Sequence, residues 1–218
     1  MEQLFTNIQN REVQALLGLF EGGHANVSLP SFGVISNDRV FAMLVEKIAR
    51  FLSRMNITAD YLGGFAGEGR RVDRYRLHYV FRDTEREEDL VYEIPVGIVS
   101  DLKNGKITAA RVYAAMEYAV GKQILRPAFW QANEAAKAAL PESVTAVWPE
   151  EGTVAEAGAV LVAKGAACIE ENILMIQGDI CTPQARLSVY LLDENGQVTA
   201  RETYGEVVWD FKLWPTLY

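Results

Sequence analysis

The stretch from Glu88 to Tyr118, EDLVYEIPVGIVSDLKNGKITAARVYAAMEY, constrains this chain more than any other. It holds two long apolar, β-branched runs separated by Lys103-Asn104-Gly105-Lys106. Asn-Gly between such runs marks a tight hairpin turn, because both central residues must accept φ > 0. The strands this implies are about 12 residues long, against a usual 5–6. Strands of that length belong to a strongly curved sheet, and a curved sheet needs helices on its hollow side. Asp193-Glu194-Asn195-Gly196-Gln197 repeats the turn, and VSDLKNGKITAARVY finds an echo in VYLLDENGQVTARETY.

Ahead of this hairpin the periodicity is helical. Val13, Leu16, Leu17 and Phe20 form an i, i+3, i+4, i+7 stripe over 11–21, and Gly22-Gly23 supplies its stop. The segment 24–33, HANVSLPSFG, is extended and broken by Pro30. Ser36 or Asn37 then caps a longer helix, with Asp38 in its first turn and a buried face built from Val40, Phe41, Leu44, Ile48, Phe51, Leu52 and Met55. Ile57–Ala66 and Arg71–Asp83 read as strands around Gly67-Glu68-Gly69. The second has a period of two, with Tyr75, Leu77, Tyr79 and Phe81 on one face and Arg74, Arg76 and His78 on the other. The order is α+β, with helices on one face of an antiparallel sheet.

Beyond Gly121, Leu125-Arg126-Pro127 reads as a linker, followed by an alanine-rich helix to Leu140 and a short helix from Pro141 to Val147. Thr153 to Gly158 is strand-like, Ala166–Gln177 reads as helical, and the second hairpin closes the chain. Superposing Gly105 on Gly196 gives an offset of 91, whereas SLPSFG (28–33) falls on TVAEAG (153–158) at 125. The difference of 34 residues is about one hairpin. The expectation is a tandem: a full unit over 1–121 and a second, reduced unit of similar type over 122–218.

The net charge of −8 excludes a protein that wraps a phosphate backbone, which needs a basic excess. The basic cluster Arg70, Arg71, Arg74 and Arg76 reads as facing the acids of 85–89 across a solvated hairpin. Cys168 and Cys181 form no disulfide framework, and with His24 and His78 far apart no metal site is expected. No cofactor motif occurs: the glycines of 63–69 lack the Lys-Ser/Thr ending of a phosphate loop and open no helix. The N-terminus has no signal-peptide pattern and no run of 18 apolar residues occurs, so a cytoplasmic protein without a membrane partner is expected.

The helix stripe, the LPSFG turn, the capped long helix, the polar-aromatic strand pair and then YEIPV…NGKI…RVY resemble the nuclear-transport-factor-two-like superfamily. That group includes ketosteroid isomerases, scytalone dehydratase and SnoaL-like polyketide cyclases. The resemblance covers 10–118 well and 125–210 loosely. It implies a cone: a curved sheet wrapped on helices around a pocket for a small, largely apolar molecule. It also implies cyclase-, isomerase- or dehydratase-type acid–base chemistry in those members that are enzymes. In the isomerases a carboxylate moves the proton, and a tyrosine with a neutral carboxylic acid holds the enolate. Carried onto this chain, the base falls on Leu29 and the oxyanion-side acid near Gly97, so both carboxylates are missing.

The remaining candidates come from strand phase. Glu93 shares a face with Val91, Pro95, Gly97 and Val99, which would raise its pKa unless a cation pairs with it. Arg111 on the adjoining strand is the expected partner, with Tyr113 as a second donor, either orienting a ligand carbonyl or forming a structural ion pair. His24 is a candidate general base or else an exposed loop histidine, and His78 is a pocket residue only if the pocket lies on the arginine face. Tyr75, Tyr79, Phe81 and Phe41 line a ligand pocket or fill a core. Glu93, His24 and Tyr113 are thus the catalytic candidates, and Arg111 with the four aromatics the binding ones. The alternative is a catalytically silent module that forms a homodimer or docks a partner through its sheet.

Overall fold

The structure is a computed structural model that describes residues 1–29, 33–67, 69–83, 87–114, 153–177 and 180–205. Two short helices, α1 (Leu4–Gln9) and α2 (Val13–Leu17), lead through a 3-10 turn at Glu21–Gly23 to β1 (Val27–Leu29) and β2 (Gly33–Ile35). Helix α3 (Asp38–Arg54) follows. Its start is fixed as expected: the Asn37 side chain accepts hydrogen bonds from the backbone N–H groups of Arg39 and Val40. Phe41, Val45, Ala49 and Leu52 trace its buried meridian. Val40, expected on that face, lies off the meridian and is 48% exposed.

Four long strands come next: β3 (Thr58–Gly67), β4 (Arg70–Asp83), β5 (Glu88–Lys103) and β6 (Lys106–Ala114). The β5–β6 turn is the tight one that Asn-Gly predicts, with φ of 52° at Asn104 and 77° at Gly105. Together with β1 and β2 they form a six-stranded sheet in the order β2-β1-β6-β5-β4-β3, and β1 runs parallel to β6. The α+β class and the helix-backed sheet are as the sequence implies.

A second sheet, β10-β9-β8-β7, is an antiparallel meander of β7 (Thr153–Ala163), β8 (Ala166–Gln177), β9 (Ile180–Leu192) and β10 (Val198–Tyr204). The expectation of a helix over Ala166–Gln177 is overturned: this is an interior strand paired with β7 and β9. Residues 166 to 170 are all buried, so no period of two was there to read. Between Gln177 and Arg186 the described residues belong to the start of β9. The β9–β10 connection is a wider loop than the first turn, held by Asp193 Oδ1 accepting from the N–H groups of Asn195 and Gln197. The linker and the two helices expected in 122–147 lie outside the described residues.

The two faces of the six-stranded sheet have different neighbours. One packs on the helices through Tyr75, Leu77, Val96, Ile98 and Ala110. The other packs on the second sheet, where Val72, Val99 and Tyr113 meet Leu161, Leu187 and Tyr204. The basic cluster also sits differently from expectation. Antiparallel register of β4 and β5 sets Arg70–Arg76 opposite 95–101, while Glu88 and Asp89 stand opposite Asp83 and Arg82. Arg70 pairs with Asp101, Arg71 with Asp73, Arg74 with Glu202 and Arg76 with Glu93.

Candidate functional site

Between the helices and the six-stranded sheet lies a cavity of about 670 Å³. That is within the range of small-molecule sites, about 300–1,000 Å³. Leu4, Phe5 and Ile8 of α1 line one side, and Phe41, Leu44, Ile48 and Phe51 of α3 another. Val96 and Ile98 of β5 with Ala110 and Val112 of β6 form the sheet wall, and Leu29 at the end of β1 also reaches it. The wall follows from alternation: on β5 every second side chain from Val96 points to the helices, while Gly97 and Val99 point the other way.

Of the described aromatic candidates, Phe41 lines the cavity. Tyr75 is core: it is 1% exposed, stacks edge-on with Phe5, and donates its hydroxyl to the Met1 carbonyl at 2.7 Å. Burial raises its pKa, with the nearby Asp73 charge adding to it. Tyr79 packs half-buried against the same core. The Phe81 side chain lies outside the described residues. His24 is exposed beside the start of α3, with Nδ1 at 2.8 Å from Asp38 Oδ2. Asp38 Oδ1 also accepts from the Ala25 N–H, and these bonds, the histidine's first, hold the carboxyl below its ordinary range.

The expected Glu93–Arg111 pair does not form. Glu93 lies directly across from His78 on β4, half exposed, at 3.6 Å from both Arg76 and His78. It has the predicted phase, but that face looks away from the cavity. His78 is held chiefly by Asp60, at 2.7 Å. Arg111 sits opposite Val99 and turns to the second sheet. Its guanidinium grips both oxygens of Asp101 and both of Glu170, at 2.5 to 3.1 Å.

Tyr113 borders the cavity but donates its hydroxyl to Glu170 Oε1 at 2.7 Å, on the second-sheet side. Burial and then the Glu170 charge raise the phenol's pKa. Burial works against the Arg111 charge, and the hydrogen bonds to Asp101 and Glu170 outweigh it and raise its pKa. Asp101 is held low by the Arg111 hydrogen bond against partial burial, with Arg70 assisting. Cys168 is buried in the same interface and its thiol is pushed up to about 12. The cluster is a clamp between sheets.

Two lining features escaped the sequence reading. Helix α1 supplies three cavity residues, and its Leu4, Phe5, Ile8 spacing was the available signal. Lys47 stands at the cavity's rim, at the i+3 position from Leu44 and the i−4 position from Phe51, on the side of α3 away from the buried Val45. Among the described residues no group of His, Cys, Asp and Glu is placed to hold a metal, and no helix is long and apolar enough to cross a membrane.

No protein-family model matches the chain, and no curated protein matches it in sequence. Solved structures are similar to it over about half its length. A nuclear-transport-factor-two-like protein of unknown function from Cytophaga hutchinsonii covers 51% of this chain and 93% of its own, at 10% identity and a TM-score of 0.38. A candidate SnoaL-like polyketide cyclase from Shewanella putrefaciens covers 50% and 73%, at 9% identity and a TM-score of 0.36. An epoxide hydrolase of M. tuberculosis, LEH-like, covers 52% and 77%, at 17% identity and a TM-score of 0.36.

Proposed function

We propose that this chain binds a small, largely apolar molecule in the cavity between its helices and its six-stranded sheet. The observation that carries the reading is the cavity itself: about 670 Å³ left open beneath α3, with a wall of aliphatic and aromatic side chains. A space that size inside a folded domain forfeits packing contacts, which a ligand would restore.

Acid–base chemistry of the cyclase, isomerase or dehydratase kind needs a proton-moving group that reaches the ligand. Among the described lining residues the ionisable side chains are Lys47 and Tyr113, and the Tyr113 hydroxyl is committed to Glu170. Leu29 stands on the cavity wall where the isomerase base would be, and Gly97 faces the second sheet. Binding without turnover is therefore the reading favoured over catalysis.

Displacement of an apolar fluorescent dye from the whole chain tests the proposal. The dye should bind wild type and be lost from Ala110→Phe, whose ring would occupy the cavity. Dye binding unchanged in that variant would reject the site.

A further inference from the structure

We infer that the ligand is an amphiphile with one anionic head, a long-chain carboxylate, whose hydrocarbon lies in the cavity and whose head meets Lys47. The inference rests on the binding role proposed above and adds the chemical class to it.

Lys47 is the single charged side chain among the described residues that line the cavity. It is exposed and borders the cavity beside Leu44 and Phe51, where a lysine's stem can cover apolar wall while its ammonium stays in water. The neighbouring carboxylate of Glu46 is engaged elsewhere, by Arg11 and Arg50 at 2.7 Å each. Among the described residues no acid pairs with Lys47.

The surroundings extend both halves of this pattern. The chain carries −8 overall, yet α3 holds Arg39, Lys47, Arg50 and Arg54 against Asp38 and Glu46, a local +2. On the same helix Val40 and Met43 are 48% and 55% exposed, at seven and four residues before Lys47. They lie on the same side of the helix as it and continue apolar surface outward. An aliphatic chain thus meets hydrocarbon along its length, and an anion at its end meets an unpaired ammonium in water.

One lysine balances one negative charge. A phosphate monoester, which carries close to two, would leave charge unmatched beside Glu46. A neutral hydrocarbon would bury its body equally well but gain nothing from the ammonium.

Dodecanoate and dodecanol, titrated against the full chain by dye displacement, separate these cases. Wild type should prefer the acid by about threefold to fivefold, the reach of an exposed ion pair. Lys47→Met should abolish the preference while still binding the alcohol, and Lys47→Glu should reverse it. Equal binding of both probes, unaltered in Lys47→Met, would overturn the carboxylate assignment and leave the cavity reading standing. Failure of both probes to bind a chain with a native circular dichroism spectrum would overturn both.

Discussion

The two faces of one sheet carry opposite designs. On β5, Val96 and Ile98 look toward the helices, and between them and α3 a cavity of about 670 Å³ stays open. On the same strand Gly97, Val99 and Asp101 look toward the second sheet, where Val99 packs among Leu161, Leu187 and Tyr204 and a salt-bridge clamp crosses the gap. Curvature explains the difference. The hollow side encloses more volume than α1, α2 and α3 fill, while two stacked sheets interdigitate at short range. One face supplies room for a ligand and the other supplies rigidity behind it.

The largest effect is expected at the clamp. Glu170 is 6% exposed, and its carboxylate is held by Arg111 and Tyr113. Arg111→Met leaves that carboxylate buried without its cation, which should lower stability by about 3–5 kcal/mol. The double variant Arg111→Met with Glu170→Leu should lose less than the sum of the two singles. Urea denaturation measures both, and a loss below about 1 kcal/mol in Arg111→Met would show that the sheets do not depend on the clamp.

Next in size is Gly97→Val. A Cβ at that position would stand 2.6 Å from Leu187 Cδ2 and 2.9 Å from Tyr204 Cγ. Both neighbours are fully buried, so neither has space to yield. Overpacking of this kind costs about 1–3 kcal/mol. A melting temperature equal to wild type would mean that the interface is looser than its geometry indicates.

Local chemistry accounts for what the sequence revealed. Asn104-Gly105 had to be a tight turn because of its backbone, and a cap at Ser36 or Asn37 was legible because the pair precedes a periodic helix, Asn37 being the one used. The β4 aromatics had a period of two, so their shared face was legible before their depth was. Strand phase put Glu93 and Arg111 correctly on one face, but phase carries no depth and no distance. Register separates them: Arg111 stands opposite Val99, six residues and about 20 Å along β5 from Glu93. What Arg111 meets instead is set by the contact with the second sheet. That contact joins Glu170 to Arg111 across 59 positions of sequence. No local pattern encodes it. Residues 166–170, buried without interruption, hid the strand that delivers Glu170.

A smaller effect follows from protonation of the clamp. The Arg111 hydrogen bond, assisted by Arg70, holds the Asp101 carboxyl below the ordinary carboxylate value, about 3.9. A depressed pKa in the folded state contributes stability that is fully present above the unfolded value and disappears as pH falls through the folded one. The stability gap between wild type and Asp101→Asn should therefore be constant from neutral pH to about 5, and close progressively below about 4. Denaturation at stepped pH reads it directly. A gap that narrows already between pH 7 and 6 would place the titrating group elsewhere.

The smallest expected stability change is at Ala110. Ala110 is 5% exposed and lines the cavity on β6, pairing with Ser100 on the strand that also carries Gly97. Ala110→Phe adds a far larger group than Gly97→Val does, yet its ring has empty space to enter. The apolar area it buries offsets the adjustment of its neighbours, so melting should move by less than the equivalent of about 1 kcal/mol. Ligand binding should vanish in the same variant. If the two faces really differ as described, the larger insertion is tolerated and the smaller one is not. Equal destabilisation by both variants would mean that the helix-facing side is packed as tightly as the sheet interface, and that the cavity has no room for a guest.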